Sequence, residues 1–310
     1  MSVFNAIAPV FVIIALGAAL QRFNFLSEEQ VNGLGRLVYW VGLPSLLFYK
    51  IATATYTGGA AGKIFLLVVL SMLAGIVISY LLVWLLHLPS QSVGAFVQAA
   101  FRGNLAFIGL PVVVYASSGP FVTEPNVETL AVLVLAPIVP VYNIFSVLVL
   151  LVGRKRLQMR TLKRLALQIV TNPLVLGSAA GLVVSLTALQ LPPSLERTTH
   201  AIGQMSLPLA LLTIGGSLTT VQLRGSLKYG LIAALIKVAV TPLIGFLLLR
   251  ASGLGPLESK LALIYLACPT AASSYVLAEQ LEGDRATAAS AVVISTLLAT
   301  ISLSVAVAMR

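Results

Sequence analysis

Apolar stretches of about twenty residues make up most of this 310-residue chain, and about twenty apolar residues are the length of α-helix that crosses a bilayer. Charged residues account for 9% of the sequence, whereas a soluble domain carries roughly 25%. The pattern therefore predicts an all-α polytopic membrane protein with ten transmembrane helices. They cover about 3–21, 34–53, 64–86, 92–118, 129–152, 168–188, 198–219, 229–249, 261–280 and 286–308.

Two of these stretches contain residues that interrupt a helix. In 101–114, which reads FRGNLAFIGLPVVV, Gly109 tolerates unusual backbone angles and Pro111 lacks the amide hydrogen that a helix uses. Pro269 interrupts the stretch 265–280 in the same way. Unwound backbone at membrane depth is stable only where it is buried in protein or lines a cavity. We therefore expect helices four and nine to be broken, with Gly109, Pro111 and Pro269 beside a substrate site.

Prolines recur in the same order in the two halves of the chain. The pairs are Pro9 with Pro173, Pro44 with Pro208, and Pro111 with Pro269. The members of the first two pairs are 164 residues apart and those of the third 158. Because five helices is an odd number, a second half of five enters the membrane from the opposite side, and the pattern predicts two inverted five-helix repeats. Chance is the alternative, since proline and glycine are common in membrane helices.

The predicted repeats cover 1–153 and 167–310, and a linker over 154–166 joins them. Six lysines and arginines lie between Arg154 and Arg164 in this linker. Basic residues concentrate in cytoplasmic loops, so we expect the linker in the cytoplasm and both termini on the extracytoplasmic side. Contact with anionic lipid would explain the same charges and gives the same orientation. The net charge of +10 then reflects loop topology, and we expect no nucleic acid partner.

Two basic side chains lie within predicted helices, where a charge costs about 2.5–3.5 kcal/mol on insertion scales. Arg102, about ten residues into its helix, either attracts an anion to the break, reaches the membrane interface, or binds freed carbonyls. Lys237, near the middle of helix eight, either contacts the substrate or takes part in coupling, or it pairs with a helix C-terminal end or a polar side chain such as Tyr265. We take both as candidate substrate-binding residues.

Polar side chains near the two breaks are further candidates. Asn104 carries donors and an acceptor, so its amide can bind a carboxylate or free carbonyls. A cluster of hydroxyls follows Pro269, made of Thr270, Ser273, Ser274 and Tyr275. These hydroxyls either contact the substrate or bond to their own helix and repair the kink. Glu279, with Glu282 and Asp284 close behind it, is assigned to a solvated turn.

Residues that other chemistries require are missing from the predicted helices. No aspartate or glutamate lies in the middle of one, which disfavours a cation substrate. Cys268 is the single cysteine, which excludes an intrachain disulfide and a multi-cysteine metal site. Neither His87 nor His200 lies deep in a helix, where it could serve as the base of an intramembrane protease. We expect no enzymatic activity, metal or cofactor, and the partial positive charge of half-helix N-termini favours an anion.

Four motifs together resemble the auxin efflux carrier family, which includes the plant PIN carriers and bacterial malonate and malate permeases. They are GNLAFIGLPVV at 103–113, NPLVLG at 172–177, SLPLALLTIGGSL at 206–218 and PTAASSYVLA at 269–278. The resemblance covers essentially the whole chain and implies ten helices in two inverted repeats. It implies a scaffold domain of helices one, two, six and seven, and a transport domain of helices three to five and eight to ten. It also implies a substrate site where broken helices four and nine cross, elevator-type alternating access, and a homodimer formed through the scaffold.

Two departures from the plant carriers bear on the substrate. The chain has a short basic linker instead of a long cytoplasmic loop, and it reads RGNLAFIGLPV where the plant proteins read something like GNTLVMGIPL. We therefore predict a secondary transporter of a small mono- or dicarboxylate or an auxin-like weak acid in the inner (plasma) membrane. The sequence leaves proton and sodium coupling both open. A sodium-coupled symporter of the bile-acid type is one alternative, because hydroxyls after Pro269 can supply oxygen ligands. A non-transporting membrane receptor or assembly protein is the other, but it does not explain two broken helices.

Overall fold

The structure, a computed structural model, describes residues 3–54, 59–119, 122–123, 125–153, 167, 170–187, 189–220 and 227–309. The predicted linker over 154–166 lies outside these residues. The described chain is helical apart from turns and one antiparallel pair, β1 (Ser118–Gly119) with β2 (Val122–Thr123), in which Ser118 is opposite Thr123. The coarse prediction of a helical protein is therefore confirmed, with a small strand pair that the apolar pattern did not indicate.

Fourteen helices can be numbered along the described chain. They are α1 (Val3–Arg22), α2 (Glu28–Leu37), α3 (Leu43–Ala52), α4 (Ala60–Leu86), α5 (Ser90–Phe101), α6 (Leu110–Ser117), α7 (Pro125–Gly153), α8 (Pro173–Leu186), α9 (Pro193–Thr220), α10 (Leu227–Leu235), α11 (Thr241–Ser252), α12 (Pro256–Ala267), α13 (Ser273–Gln280) and α14 (Arg285–Ala308). Three five-residue π-helical turns, Val38–Gly42, Leu105–Gly109 and Ile236–Val240, precede α3, α6 and α11.

Several of these helices are suited to a bilayer. Within the described residues, five are long and apolar enough to cross a membrane: Ala60–Leu86, Val127–Val152, Pro193–Thr219, Leu227–Ser252 and Arg285–Ala308. Shorter apolar helices cover Ile7–Arg22, Leu105–Ala116 and Pro173–Leu186. These lengths and compositions fit an integral membrane protein. Ten spans in two inverted repeats stay a prediction.

The chain divides into two compact units. The first contains Met1–Ala61, Ala106–Pro140 and Leu167–Thr220, and the second contains Gly62–Leu105, Val141–Ala166 and Val221–Arg310. The first unit therefore holds α1 to α3, α6, the start of α7, α8 and α9. The second holds α4, α5, the end of α7, and α10 to α14. The chain passes from the second unit to the first directly after Leu105.

Close helix contacts define the first unit. In this unit α1 packs on α9 and α3 packs on α8. Gly17 of α1 lies against the backbone of Leu212, where an added Cβ would overlap the carbonyl oxygen. A Cβ added to Gly177 of α8 would lie 2.6 Å from the carbonyl oxygen of Pro44. Small residues are needed at these contacts because only they let membrane helices approach so closely.

Each π-helical turn is followed, two residues after its end, by a proline: Pro44, Pro111 and Pro242. A proline within an α-helix removes one hydrogen bond and its ring clashes with the carbonyl four residues earlier. The wider π turn changes the register of the preceding carbonyls, so the chain accommodates the ring and stays helical. The expectation that helix four breaks at Gly109 and Pro111 is therefore wrong, since both residues lie within helical backbone.

The second unit is held together at one end by a helix cap. Asp284 is the N-cap of α14, and its carboxylate accepts hydrogen bonds from the backbone N–H of Thr287 at 3.0 Å and from the Thr287 hydroxyl at 2.7 Å. The hydroxyl of Ser92, in the first turn of α5, donates to the same carboxylate at 2.6 Å. The predicted solvated turn is observed at Glu282, which is exposed, whereas Glu279 is exposed but lies in the last turn of α13. Asp284 is half-buried and joins two helix N-termini.

Candidate functional site

The two broken helices of the second unit pair with each other at their breaks. α5 ends at Phe101 and α12 at Ala267, and the backbone that follows each of them is extended. Gly103 and Thr270 form an antiparallel bridge. The N–H of Asn104 donates to the carbonyl of Pro269 at 2.8 Å, and the N–H of Ala271 donates to the carbonyl of Arg102 at 2.9 Å. Backbone groups that each break removes from a helix are thus satisfied by the other break, as an apolar environment requires.

Side chains bind the carbonyls that the two half-helices leave free. The Thr270 hydroxyl donates to the carbonyl of Ala99, near the end of α5, at 2.8 Å. The Ser302 hydroxyl donates to the carbonyl of Ala267, the last residue of α12, at 2.9 Å. The Ser295 hydroxyl accepts from the N–H of Thr270 at 2.9 Å. The hydroxyl of Thr270 therefore does not bond to its own helix, as one of the two roles considered for it required, but stabilises the junction between α5 and the break after α12.

Lys237 is a fully buried ammonium at this junction. Its Nζ donates to the carbonyl of Leu266, at the C-terminal end of α12, at 2.6 Å, where the helix dipole favours a positive charge. An ammonium has three donors, and this is its single hydrogen bond to the described residues. A Cβ added to Gly103 would lie 3.2 Å from Cε and 3.6 Å from Nζ of Lys237. The charged end of Lys237 thus lies directly beside the paired breaks.

Arg102 is also buried, with 9% of its surface exposed. Its Nη2 donates to Oδ1 of Asn143 on α7 at 2.8 Å. The Gln98 amide, in the orientation that satisfies both of its ends, accepts from Nη1 of Arg102 at 3.1 Å and donates to the carbonyl of Ser274 at 3.2 Å. The guanidinium therefore joins α5 to α7 and, through Gln98, to α13. The side chain is thus directed at neighbouring helices of the second unit and not at the outer surface of the protein.

Gln98 and Asn143 were missed in the sequence, although each is a lone amide within an apolar stretch. Such residues are rare in membrane helices and usually bond to other helices. Three buried hydroxyls, those of Tyr142, Ser146 and Ser274, have no hydrogen-bond partner among the described residues. Ser274 was a candidate from the sequence, whereas Tyr142 and Ser146 were missed. A buried polar group without a partner costs roughly 1–3 kcal/mol. Because buried polar groups normally have partners, these three hydroxyls are candidate contacts for a polar ligand.

The predicted site residues do not all lie together. Asn104 is 7% exposed, and its side-chain amide makes no hydrogen bond to the described residues, so it is a candidate ligand contact beside Gly103. Ser273 is exposed, and the Tyr275 ring packs beside Ala278, with the guanidinium of Arg285 5.8 Å from its centre. The structure therefore brings together Arg102, Asn104, Lys237, Pro269, Thr270 and Ser274 in the second unit. Gly109 and Pro111 belong to the first unit.

Apolar helices of membrane-spanning length, together with two broken helices whose breaks pair beside buried charges, are characteristic of membrane transporters. A family described as membrane transport protein matches residues 2–307 of the chain. The chain therefore belongs to this family, the auxin efflux carrier family that its motifs resemble. An uncharacterized transporter of Methanocaldococcus jannaschii is 23% identical over 299 residues, which cover 94% of each chain. The protein is thus an integral membrane transporter.

Proposed function

We propose that the chain is a secondary transporter of a small organic anion, either a mono- or dicarboxylate or an auxin-like weak acid. The observation that supports this most directly is the position of Lys237. Its ammonium is buried beside Gly103, and one backbone carbonyl is its described hydrogen-bond acceptor. A buried charge is stable when it is paired and hydrogen-bonded. A substrate carboxylate beside Gly103 would supply both the opposite charge and the missing acceptors.

Two neighbouring side chains support the same substrate class. The Asn104 amide can donate to a carboxylate oxygen, and Asn104 follows Gly103 directly. Arg102 adds a second positive charge in a region of low dielectric constant, where its field is weakly screened. Arg102 is bound to Asn143 and Gln98, so we assign it a long-range electrostatic role and give Asn104 and Lys237 the direct contacts.

Sodium coupling has less support in this arrangement. Sodium in broken-helix transporters is coordinated by unwound carbonyls and by half-helix C-terminal ends. Here the ammonium of Lys237 binds one such carbonyl, that of Leu266, and Ser302 binds another, that of Ala267. Of the hydroxyls considered as sodium ligands, that of Thr270 already donates to Ala99. We therefore propose transport that does not require sodium, and proton coupling is compatible with it.

The remaining parts of the proposal come from the resemblance, from the proline spacing and, for the orientation, from the basic linker. We propose ten spans in two inverted repeats, elevator-type alternating access, and a homodimer formed through helices one, two, six and seven. We place the protein in the inner (plasma) membrane with both termini extracytoplasmic. Accessibility of a cysteine introduced at Gln158, in a Cys268→Ser background, tests the orientation: it should resist an impermeant thiol reagent in intact cells, and ready labelling would reverse the assigned topology.

Two assays test the function, one of substrate binding and one of transport. Purified protein should be stabilised against heat by its substrate in a panel of carboxylates, since a ligand at about 100 times its Kd adds roughly 2.7 kcal/mol. Proteoliposomes containing the protein should then accumulate or exchange the stabilising carboxylate equally in sodium and in choline buffers. Uptake that requires sodium would favour the bile-acid type of symporter. A protein that binds a ligand but moves none would favour a receptor.

A further inference from the structure

A pocket of about 440 Å³ lies within the second unit, between α10 and α11 on one side and α12 and α14 on the other. All of its lining residues are apolar except Ser302. The hydroxyl of Ser302 already donates to the carbonyl of Ala267. The pocket therefore offers no free hydrogen-bonding side chain, and a carboxylate would lose its hydration there without compensation. This makes the pocket unsuited to the anionic substrate.

The local sequence explains why a pocket forms at this place. Ala239 and Pro242 line it from the π-helical turn and the start of α11, and Ser302 and Ala306 line it from α14. Short side chains therefore face the pocket from both of its long walls. The larger side chain of Phe246 continues the first wall beyond Pro242. Where these short side chains face each other, no larger side chain fills the volume between the helices.

The surroundings of the pocket determine what can fill it. Its two long walls belong to Leu227–Ser252 and Arg285–Ala308, both of which are apolar and long enough to cross a bilayer. At its rim Leu243 is 57% exposed and Ile301 is 67% exposed, so the pocket is continuous with an apolar outer surface. In a bilayer this surface meets hydrocarbon. An empty pocket loses dispersion contacts, and water would find no polar partners in it.

We propose that this pocket is a binding site for one acyl chain of a bilayer lipid. Val238 and Ala239 in its wall follow Lys237 directly, and Ser302 in the opposite wall binds the end of α12. Lys237 binds the same end of α12 through Leu266. A bound acyl chain thus supports the two segments that hold the ammonium beside the paired breaks. Occupancy should stabilise the second unit.

Tryptophan quenching by a phospholipid with brominated acyl chains tests this site. The chain has two tryptophans, Trp40 and Trp84, which are replaced by phenylalanine to give a silent background. Phe246→Trp then reports from the pocket wall. Val77→Trp, on the exposed face of α4, is the matched reporter of ordinary lipid contact. In detergent, the pocket reporter should reach half of its quenching at a lipid-to-protein ratio at least about tenfold lower than the control does. Identical quenching curves would overturn the proposal.

A filled pocket provides the second arm of the experiment. Ala239 is exposed and lines the pocket, so Ala239→Phe can add volume there without displacing core residues. This change should abolish the preferential quenching of the Phe246→Trp reporter and leave the Val77→Trp reporter unaffected. Native mass spectrometry of the protein without reporters gives an independent readout. The wild type should retain one phospholipid per chain and Ala239→Phe should not, whereas equal retention would contradict the assigned site.

Discussion

The ammonium-bearing end of Lys237 lies beside Gly103, where an added Cβ would be 3.2 Å from Cε of the lysine. Gly103 is also the residue that pairs with Thr270 where the two broken helices meet. The absence of a side chain at 103 therefore leaves room for the end of the lysine at the junction. Gly103 thus takes part in the structural pairing with Thr270 and also lies next to Lys237, whose charge we assign to substrate binding.

Gly103→Ala should impair transport more than it impairs stability. The added methyl must displace the ends of Lys237 and Leu105, which lie 3.2 Å and 3.1 Å away, by a few tenths of an ångström. Both are flexible side chains, so we expect a cost of about 1 kcal/mol or less in thermal unfolding and a roughly tenfold loss in kcat/KM. Gly35→Ala is the control, because a Cβ there meets nothing within 4 Å. Equal transport by the two variants would show that the position of the Lys237 side chain beside Gly103 does not matter for transport.

Lys237→Met should abolish stabilisation by the anion. Methionine fills the same volume without a charge, so the substrate loses its proposed partner and the carbonyl of Leu266 loses its hydrogen bond. Leaving a buried carbonyl without a partner costs roughly 1–3 kcal/mol, and this effect appears without any ligand. The two effects are distinguished by comparing the thermal shift with and without carboxylate. A variant that is less stable but is stabilised by carboxylate as much as the wild type would assign Lys237 a purely structural role.

Thr270→Val should lower stability because it removes one hydroxyl and preserves the shape of the side chain. The carbonyl of Ala99 would lose its donor, which is expected to cost roughly 1–3 kcal/mol in thermal unfolding. Thr270→Ser keeps the hydroxyl and should remain close to the wild type. If valine and serine are equivalent, the hydrogen bond to Ala99 contributes little to the junction.

The sequence was sufficient to predict helices in apolar stretches and a break at Pro269. It misplaced the break in helix four because Pro111 was expected to interrupt the helix, whereas a π-helical turn accommodates it. A better signal was present, since the spacing of 164 residues in the other proline pairs, counted back from Pro269, leads to position 105. The extended backbone lies immediately before that position. A spacing shared by several residue pairs depends on how whole helices follow one another, whereas a single proline affects only the hydrogen bonds near it.

The partners of the polar residues were less predictable. The Thr270 hydroxyl is able to bond within its own helix or to another one, and no local pattern decides between them. Its contact with Ala99 spans 171 residues, and that of Arg102 with Asn143 spans 41. Such pairings depend on how the helices are arranged in space. Lone amides in apolar stretches indicate that a pairing exists without giving the partner.

The cap of α14 should make stability depend on pH in the acidic range. Partial burial raises the pKa of Asp284, but hydrogen bonds from Ser92, Thr287 and Ala286 outweigh it and hold the pKa below its ordinary value of 3.8. A lowered folded-state pKa contributes stability that is fully present above 3.8 and is lost as the pH falls through the folded value. Asp284→Asn should remove this part of the pH dependence in thermal unfolding. Glu279→Gln, at the exposed pair with Arg285, is the control and should leave it in place.

Asn104 and Arg102 should give different defects when they are changed. Asn104→Ala removes a donor beside Gly103, so it should weaken carboxylate binding to a similar extent at every salt concentration. Arg102→Gln removes a charge whose field also attracts the anion from solution, where salt screens it, so its effect should be larger at low salt. Two side chains, Asn143 and Gln98, bind separate nitrogens of Arg102, and a lysine cannot hold both in that geometry. Arg102→Lys should therefore keep the attraction for the anion and lose stability. The measurements are carboxylate affinity at two ionic strengths and thermal unfolding. Wild-type affinity for Arg102→Gln at both ionic strengths would make the arginine structural and leave Lys237 as the anion-binding charge.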